Sequence, residues 1–101
     1  MELNLLKGKP ISDPTEEQIL DAIDKAYRGK LDGVVLTKDE EQHQFIQLAC
    51  WGYYLEYKDS PTSEISSVND VPQEQCIKIF LDYAAGGDHW REMADWEQGI
   101  L

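Results

Sequence analysis

The sequence predicts an α+β domain, an antiparallel sheet of about five strands with two helices packed on it, in the order β-α-β-β-β-β-α-β. Three observations carry that expectation. Two amphipathic stretches with helix start and stop residues stand toward the two ends, near 13–29 and 69–87. Between them run four short segments rich in β-branched and aromatic residues, each closed by turn residues. The chain has 101 residues, 42% of them hydrophobic with three Trp, five Tyr and two Phe, which fills one core and delimits a single domain over 1–101.

Each element has a local reason. Met1 to Ile11 carries Leu3, Leu5 and Leu6 between Glu2 and Lys7 and stands first in the order as a strand. Asp13-Pro14-Thr15-Glu16 reads as an N-cap Asp, a Pro at the first helical position and a Glu at the third, because the Asp oxygen accepts an orphan N–H and Pro has none to waste. Ile19, Leu20, Ile23, Ala26 and Tyr27 follow at helical spacing, and Gly29 is placed to end the helix in a left-handed cap. Val34-Val35-Leu36-Thr37 is a short β-branched strand, and Lys38 to His43 a polar connection. Phe45 to Cys50 is apolar on both faces, as a central strand would be. Trp51-Gly52 reads as a tight hairpin turn into Tyr53 to Lys58, where Tyr53, Leu55 and Tyr57 face one way and Tyr54 the other, beside Glu56 and Lys58. Asp59 to Ser63 is a loop, and Glu64 to Val68 a weaker strand at an edge. Asn69 or Asp70 caps a second helix with Pro72 in its first turn, a buried face of Cys76, Ile77, Phe80, Leu81 and Ala84, and Gly86-Gly87 at its end. The tail from Asp88 fits a short helix through Trp90, Met93 and Trp96, and equally a last strand over 94–98.

Charge narrows the function. Twenty acidic residues stand against nine basic, a formal net charge of −11. Phosphate binding needs clustered Lys and Arg, so a nucleic acid or an anionic membrane is not an expected partner. Residues 1–30 hold six acids and five bases, whereas residues 31–101 hold fourteen and four. So uneven a field would speed encounter with a basic partner, and otherwise serves to keep a small domain soluble. Cys50 and Cys76 lie in apolar runs and are read as reduced, buried residues of a cytoplasmic protein. The N-terminal segment lacks the basic region, apolar run and cleavage site of a secretory signal, and no apolar stretch approaches the ~18 residues of a membrane span.

Nothing in the sequence assembles a reaction. His43 and His89 are its two histidines, and no zinc-binding spacing surrounds either. Asp88, His89 and Glu92 are the best metal-like grouping, and they carry the less favoured alternative of a small metal-binding enzyme. An apolar setting raises a thiol pKa, which suits neither cysteine to nucleophilic work. Glycine-rich phosphate loops are absent. The expectation is therefore a protein that is not an enzyme and takes no cofactor or metal. Exposed aromatics among acids suit a protein-binding surface, because Trp and Tyr are common interface anchors. The candidate partner-binding residues are Asp39, Glu40, Glu41, Trp51, Tyr54, Glu56, Asp59 and Glu64.

The order of elements also resembles a known family. The matching pieces are Pro14-x-x-x-x-Ile19 in an early helix, Val34-Val35-Leu36 before the acidic turn Asp39-Glu40-Glu41, the Phe45–Cys50 and Tyr53–Asp59 hairpin, Ile79-Phe80-Leu81-Asp82-Tyr83-Ala84, and a terminal Trp96-Glu97. Together they look like the small immunity proteins of bacterial polymorphic toxin systems, in particular the family often encoded beside deaminase-type toxins. The resemblance implies a non-catalytic inhibitor, a monomer or weak dimer, that occludes the active site or basic substrate groove of a cognate toxin. It carries over no catalytic residues, and Trp96 would be a structural residue closing the core. The alternative with the same physics is a small acidic adaptor or regulatory module that binds another protein.

Overall fold

Alternation of apolar and polar residues along successive segments builds one sheet with a buried and an uncovered side. The structure is a computed structural model that describes residues 1–5, 9–49, 54–62 and 64–98. In chain order it contains β1 (Glu2–Asn4), β2 (Ile11–Ser12), α1 (Glu16–Tyr27), β3 (Gly33–Asp39), β4 (Gln44–Ala49), β5 (Tyr54–Lys58), β6 (Ser66–Asn69), α2 (Gln73–Ala84), a 3-10 turn η1 (His89–Glu92) and β7 (Glu97–Gln98). The α+β class and the two helices are as the sequence predicts. The sheet has seven antiparallel strands in the order β2-β1-β3-β4-β5-β6-β7.

The additional strands come from the chain ends. The N-terminal segment supplies two short strands, β1 and β2, paired Leu3 to Ile11, where the sequence suggests one. The tail supplies both of its candidate structures in turn, η1 and then β7. Because β7 pairs with Ser66 and Ser67, β6 is not the sheet edge over those residues. The Trp51-Gly52 turn, Cys50 and Tyr53 lie outside the described residues.

Register divides the strands into two faces. Leu3, Leu36, Ile46 and Tyr57 lie side by side across β1, β3, β4 and β5, and Val34, Leu48, Leu55 and Val68 form the next row. Six of these aliphatic side chains, Leu3, Val34, Leu36, Ile46, Leu48 and Leu55, are fully buried. Each contributes ~1.5–3 kcal/mol of hydrophobic stabilisation. Ile19, Ala22, Ile23 and Ala26 of α1 and Cys76, Ile79, Phe80 and Tyr83 of α2 complete the same core. Both helices therefore cover one face of the sheet.

The helix termini differ from the sequence expectation at their starts. Thr15, not Asp13, caps α1: its side chain accepts from the Gln18 N–H while the Gln18 side chain accepts from the Thr15 N–H. This capping box satisfies two orphan donors at once, and Asp13 instead takes a left-handed φ of 47°. Neither Asn69 nor Asp70 caps α2: Asn69 ends β6, Asp70 turns the chain at φ 58°, and Pro72 holds the cap position without a side-chain bond. The buried stripe of α2 is rotated accordingly, so that Ile79 and Tyr83 are buried while Ile77, Leu81 and Ala84 are only partly so. Both helices end alike. Gly29 N–H bonds Ala26 and Lys30 N–H bonds Lys25, and Gly86 N–H bonds Tyr83 and Gly87 N–H bonds Asp82. The left-handed φ of Gly29 and Gly86 permits this paired closure. Tyr27 Oη donates to the Val71 carbonyl at 2.6 Å and Gln73 Nε2 to Asp24 Oδ1 at 3.2 Å, which tie α1 to the start of α2.

Candidate functional site: the uncovered sheet face

The side of the sheet away from the helices is built by the intervening residues of the same strands. Across β1, β3, β4 and β5, Glu2, Thr37, Phe45 and Lys58 form one row. Asn4, Val35, Gln47 and Glu56 form the next, continuing to Ser67 and Glu97. Ala49 pairs with Tyr54 in the row beyond. Val35, Phe45, Ala49 and Tyr54 are half-buried here, unlike the fully buried residues one position away on the covered face. The run read as a central strand apolar on both faces is central in the sheet over Gln44–Ala49, but its open face is mixed, with Gln47 between Phe45 and Ala49. Gln47, in the middle of that run, is the signal that one side is open, because an unpaired buried amide would be costly.

At one end of this face the β3–β4 turn is held in shape by its own acids. Register shifts by one residue between Thr37 and Asp39, a bulge that bends the hairpin. Asp39 Oδ1 accepts from the backbone N–H of Glu41 at 3.1 Å and of Gln42 at 3.2 Å. His43 then takes a left-handed φ of 52°, with its N–H bonded to the Glu40 carbonyl. The result is a depression of about 200 Å³ lined by Val35, Thr37, Glu40, His43, Phe45 and Gln47. A second, more polar hollow of about 280 Å³ lies beside it, and Thr37, Lys38 and Glu40 are among its walls, with Glu2, Ser12 and Asp13.

The sequence-derived residues separate into groups. Tyr54 and Glu56 lie on the uncovered face and Glu40 stands at the rim of both hollows. Asp39 is spent on the turn, and Glu41 is exposed beside it. Asp59 is not brought to this group: it holds Arg91 through two oxygens, at 2.9 and 3.0 Å. Glu64 is exposed in the β5–β6 connection, and Trp51 lies outside the described residues. Val35, Thr37, Phe45 and Gln47 are the surface residues that the sequence reading missed.

The end of the core on the helix side of the sheet, where Lys38 lies over the Tyr83 ring at 5.9 Å, explains the residues that resembled a chemical site. His89 and Glu92 belong to η1 and Asp88 immediately precedes it, facing Arg91 at 3.6 Å. Among the described residues no three His, Cys, Asp or Glu side chains converge as a metal site would require. Trp90 is 2% exposed and meets Tyr57 and Tyr83 edge-on at 4.7 and 5.2 Å, while Trp96 meets Tyr57 at 4.8 Å. Arg91 lies over Trp90 with its guanidinium carbon 4.4 Å from a ring centroid. This aromatic stack closes the end of the core. Cys76 is buried within the core, and burial pushes its thiol up to about 12 against a slight opposing bond from Tyr27. Burial also raises the Tyr83 hydroxyl, with the Asp59 charge adding to it. Neither group is prepared to ionise near neutral pH.

The charge on the uncovered face is mainly negative. Its strands carry Glu2, Glu56 and Glu97 against Lys58, and the Asp39-Glu40-Glu41 turn extends the acidity at one end. No helix of the described residues is long and apolar enough to cross a membrane. Comparison with protein-family models, with curated proteins and with solved structures finds no match.

Proposed function

We propose that this chain is a non-catalytic immunity protein, which binds a cognate bacterial toxin in the cytoplasm of the producing cell and occludes its active site or basic substrate groove. The observation that carries the reading is the uncovered sheet face, half-apolar through Val35, Phe45, Ala49 and Tyr54 and edged by Glu2, Glu40 and Glu56. Aromatic anchors inside a polar rim are how protein interfaces are made, and an acidic surface is complementary to a groove shaped for nucleic acid. The order of elements that resembles the immunity family supports the same reading.

The test is co-expression with the product of the adjacent gene. A one-to-one complex burying ~1,200–2,000 Å² is expected, with growth restored to cells that the neighbour alone would kill. Glu40→Lys combined with Glu56→Lys should leave stability within ~0.5 kcal/mol, since both groups are surface acids. The same change should slow association about tenfold or more at low salt, with less effect at high salt. If the neighbouring product is no toxin, or is neither bound nor neutralised, the reading fails. A stable complex with a non-toxic basic protein would make the chain an acidic adaptor.

A further inference from the structure

We infer that the depression at the β3–β4 end of the uncovered face is a receptor for a single arginine side chain of the partner protein, an inference that rests on reading this face as a protein-binding surface. Its floor is a two-by-two block set by register, Val35 beside Gln47 and Thr37 beside Phe45. Its rim is Glu40, on a turn that the Asp39 carboxylate fixes through two backbone bonds. At about 200 Å³ it is smaller than the ~300–1,000 Å³ of clefts that take whole organic ligands, and suits one long side chain.

Five of the six lining residues match an arginine group by group; the sixth, His43, stands on the turn. Val35 and the Phe45 ring are half-exposed apolar surface on which the aliphatic stem can lie. The ring is also a face for a guanidinium, whose positive plane is attracted to aromatic electrons. Glu40 forms no ion pair among the described residues, and its carboxylate is available to accept from the guanidinium fork. The Thr37 hydroxyl and the Gln47 amide oxygen supply neutral acceptors beneath it. Glu2 flanks the block through Thr37, whereas Lys58 flanks it through Phe45 and disfavours a cation approaching from that side. The approach is therefore over the β1 and turn side, where Glu2, Asp39, Glu40 and Glu41 outnumber Lys38, whose ammonium lies over the Tyr83 ring at 5.9 Å, and the Met1 amine, which pairs with Asp13 at 3.3 Å. Lysine would lose the bidentate fork and the ring stacking. The same molecule already stacks a guanidinium on aromatic rings at Arg91, over Trp90 and Tyr57.

The experiment is an NMR titration of the full chain with capped tripeptides Gly-Arg-Gly, Gly-Lys-Gly and Gly-citrulline-Gly. The arginine peptide should give saturable amide shifts confined to Val35, Thr37, Glu40, Phe45 and Gln47, with millimolar affinity. The lysine peptide should bind several-fold more weakly, and the citrulline peptide should leave those amides in place. Glu40→Gln and Phe45→Ala should each weaken arginine binding about two- to fivefold, and together about tenfold. Glu40 lies in an exposed turn, so its variant keeps the fold even if Phe45→Ala does not. Equal binding of citrulline, shifts located elsewhere, or a Glu40→Gln variant as good as the parent would each overturn the inference. The titration uses no toxin. Its failure with growth protection intact removes the arginine receptor alone, and its success without protection keeps the receptor and removes the toxin reading.

Discussion

Replacing Gly87 by alanine isolates the contact that joins α2 to the aromatic end of the core. A Cβ on Gly87 would collide with the Asp82 carboxylate, standing 2.8 Å from its Cγ. Gly87 cannot retreat freely, because its N–H bonds the Asp82 carbonyl at 3.0 Å and closes the helix. The carboxylate must therefore swing away, and its Oδ2 then loses the backbone N–H of Trp90, which it accepts at 2.9 Å. Trp90 is 2% exposed, so the released N–H finds no water. Loss of a hydrogen bond to a charged acceptor, with a buried donor left over, costs ~1–3 kcal/mol. The backbone at Gly87 is not left-handed, and the change in itself would stabilise by ~0.4–1 kcal/mol through the unfolded chain. Gly87→Ala should then lower stability by ~1–2 kcal/mol in the parent, yet be neutral or stabilising by up to ~1 kcal/mol once Asp82→Ala has removed the carboxylate. Urea unfolding followed by tryptophan fluorescence measures all four proteins of the cycle. An equal cost of Gly87→Ala in both backgrounds would refute the collision with Asp82 as the cause.

Three further outcomes are expected. Leu48→Ala, on the covered face, should cost ~2–5 kcal/mol in urea unfolding, whereas Gln47→Ala, its neighbour on the uncovered face, should stay within ~0.5 kcal/mol; similar losses would mean that something covers both faces. Arg91→Ala should lower stability by ~0.5–1.5 kcal/mol, from the two-oxygen pair with Asp59 and the stacking on Trp90, and the loss should shrink at high salt because the pair is exposed. For pH, Cys76 has a thiol raised from 9.0 to about 12 by burial. Its burial therefore contributes stability that is whole below about 9 and is lost as pH rises toward about 12, because the unfolded chain sheds the proton first. Tyr83, also raised, acts in the same direction. Urea unfolding between pH 8 and 11 should show a decline that is shallower in Cys76→Ala.

The parts of this fold that were legible in sequence are those fixed by local periodicity. Ile19, Ile23 and Ala26 recur at helical spacing and are buried together, and Leu55 and Tyr57 face inward while Tyr54 and Glu56 do not. Gly29 ended α1 as its backbone freedom suggested. What escaped depended on choices between neighbours or on distant pairing. Thr15 won the cap over Asp13 because Gln18, three residues on, could return a bond. The strands β2 and β7, two residues each, exist only because β1 and β6 offer them a partner. Within the candidate surface, Tyr54 and Glu56 followed from alternation, but Asp59 gives no local sign that Arg91, 32 residues later, will claim it. Phe45 looked like core because hydrophobicity says nothing about which face the helices will choose.

That choice has a consequence for function. Seven strands at ~4.8 Å spacing make a sheet about 29 Å across, and two helices, each ~10 Å or more in diameter, lie side by side against only one of its sides. Antiparallel sheets tolerate this by making the outer residues polar. Here the central strands depart from that rule, since β3 places Val35, β4 places Phe45 and Ala49, and β5 places Tyr54 on the open side, interleaved with Thr37, Gln47 and Glu56. A domain stabilised for its own sake gains little from half-exposed aromatic rings, and its buried row of Leu3, Val34, Leu36, Ile46, Leu48 and Leu55 already supplies the core. The acids do not contribute to stability there either, because Glu40 and Glu56 form no ion pair among the described residues. On the proposed reading, apolar anchors and unpaired acids on one face would divide the two tasks of association, the anchors slowing departure and the field hastening arrival. Such a surface is what the proposed function requires, one half of an interface whose other half would be basic.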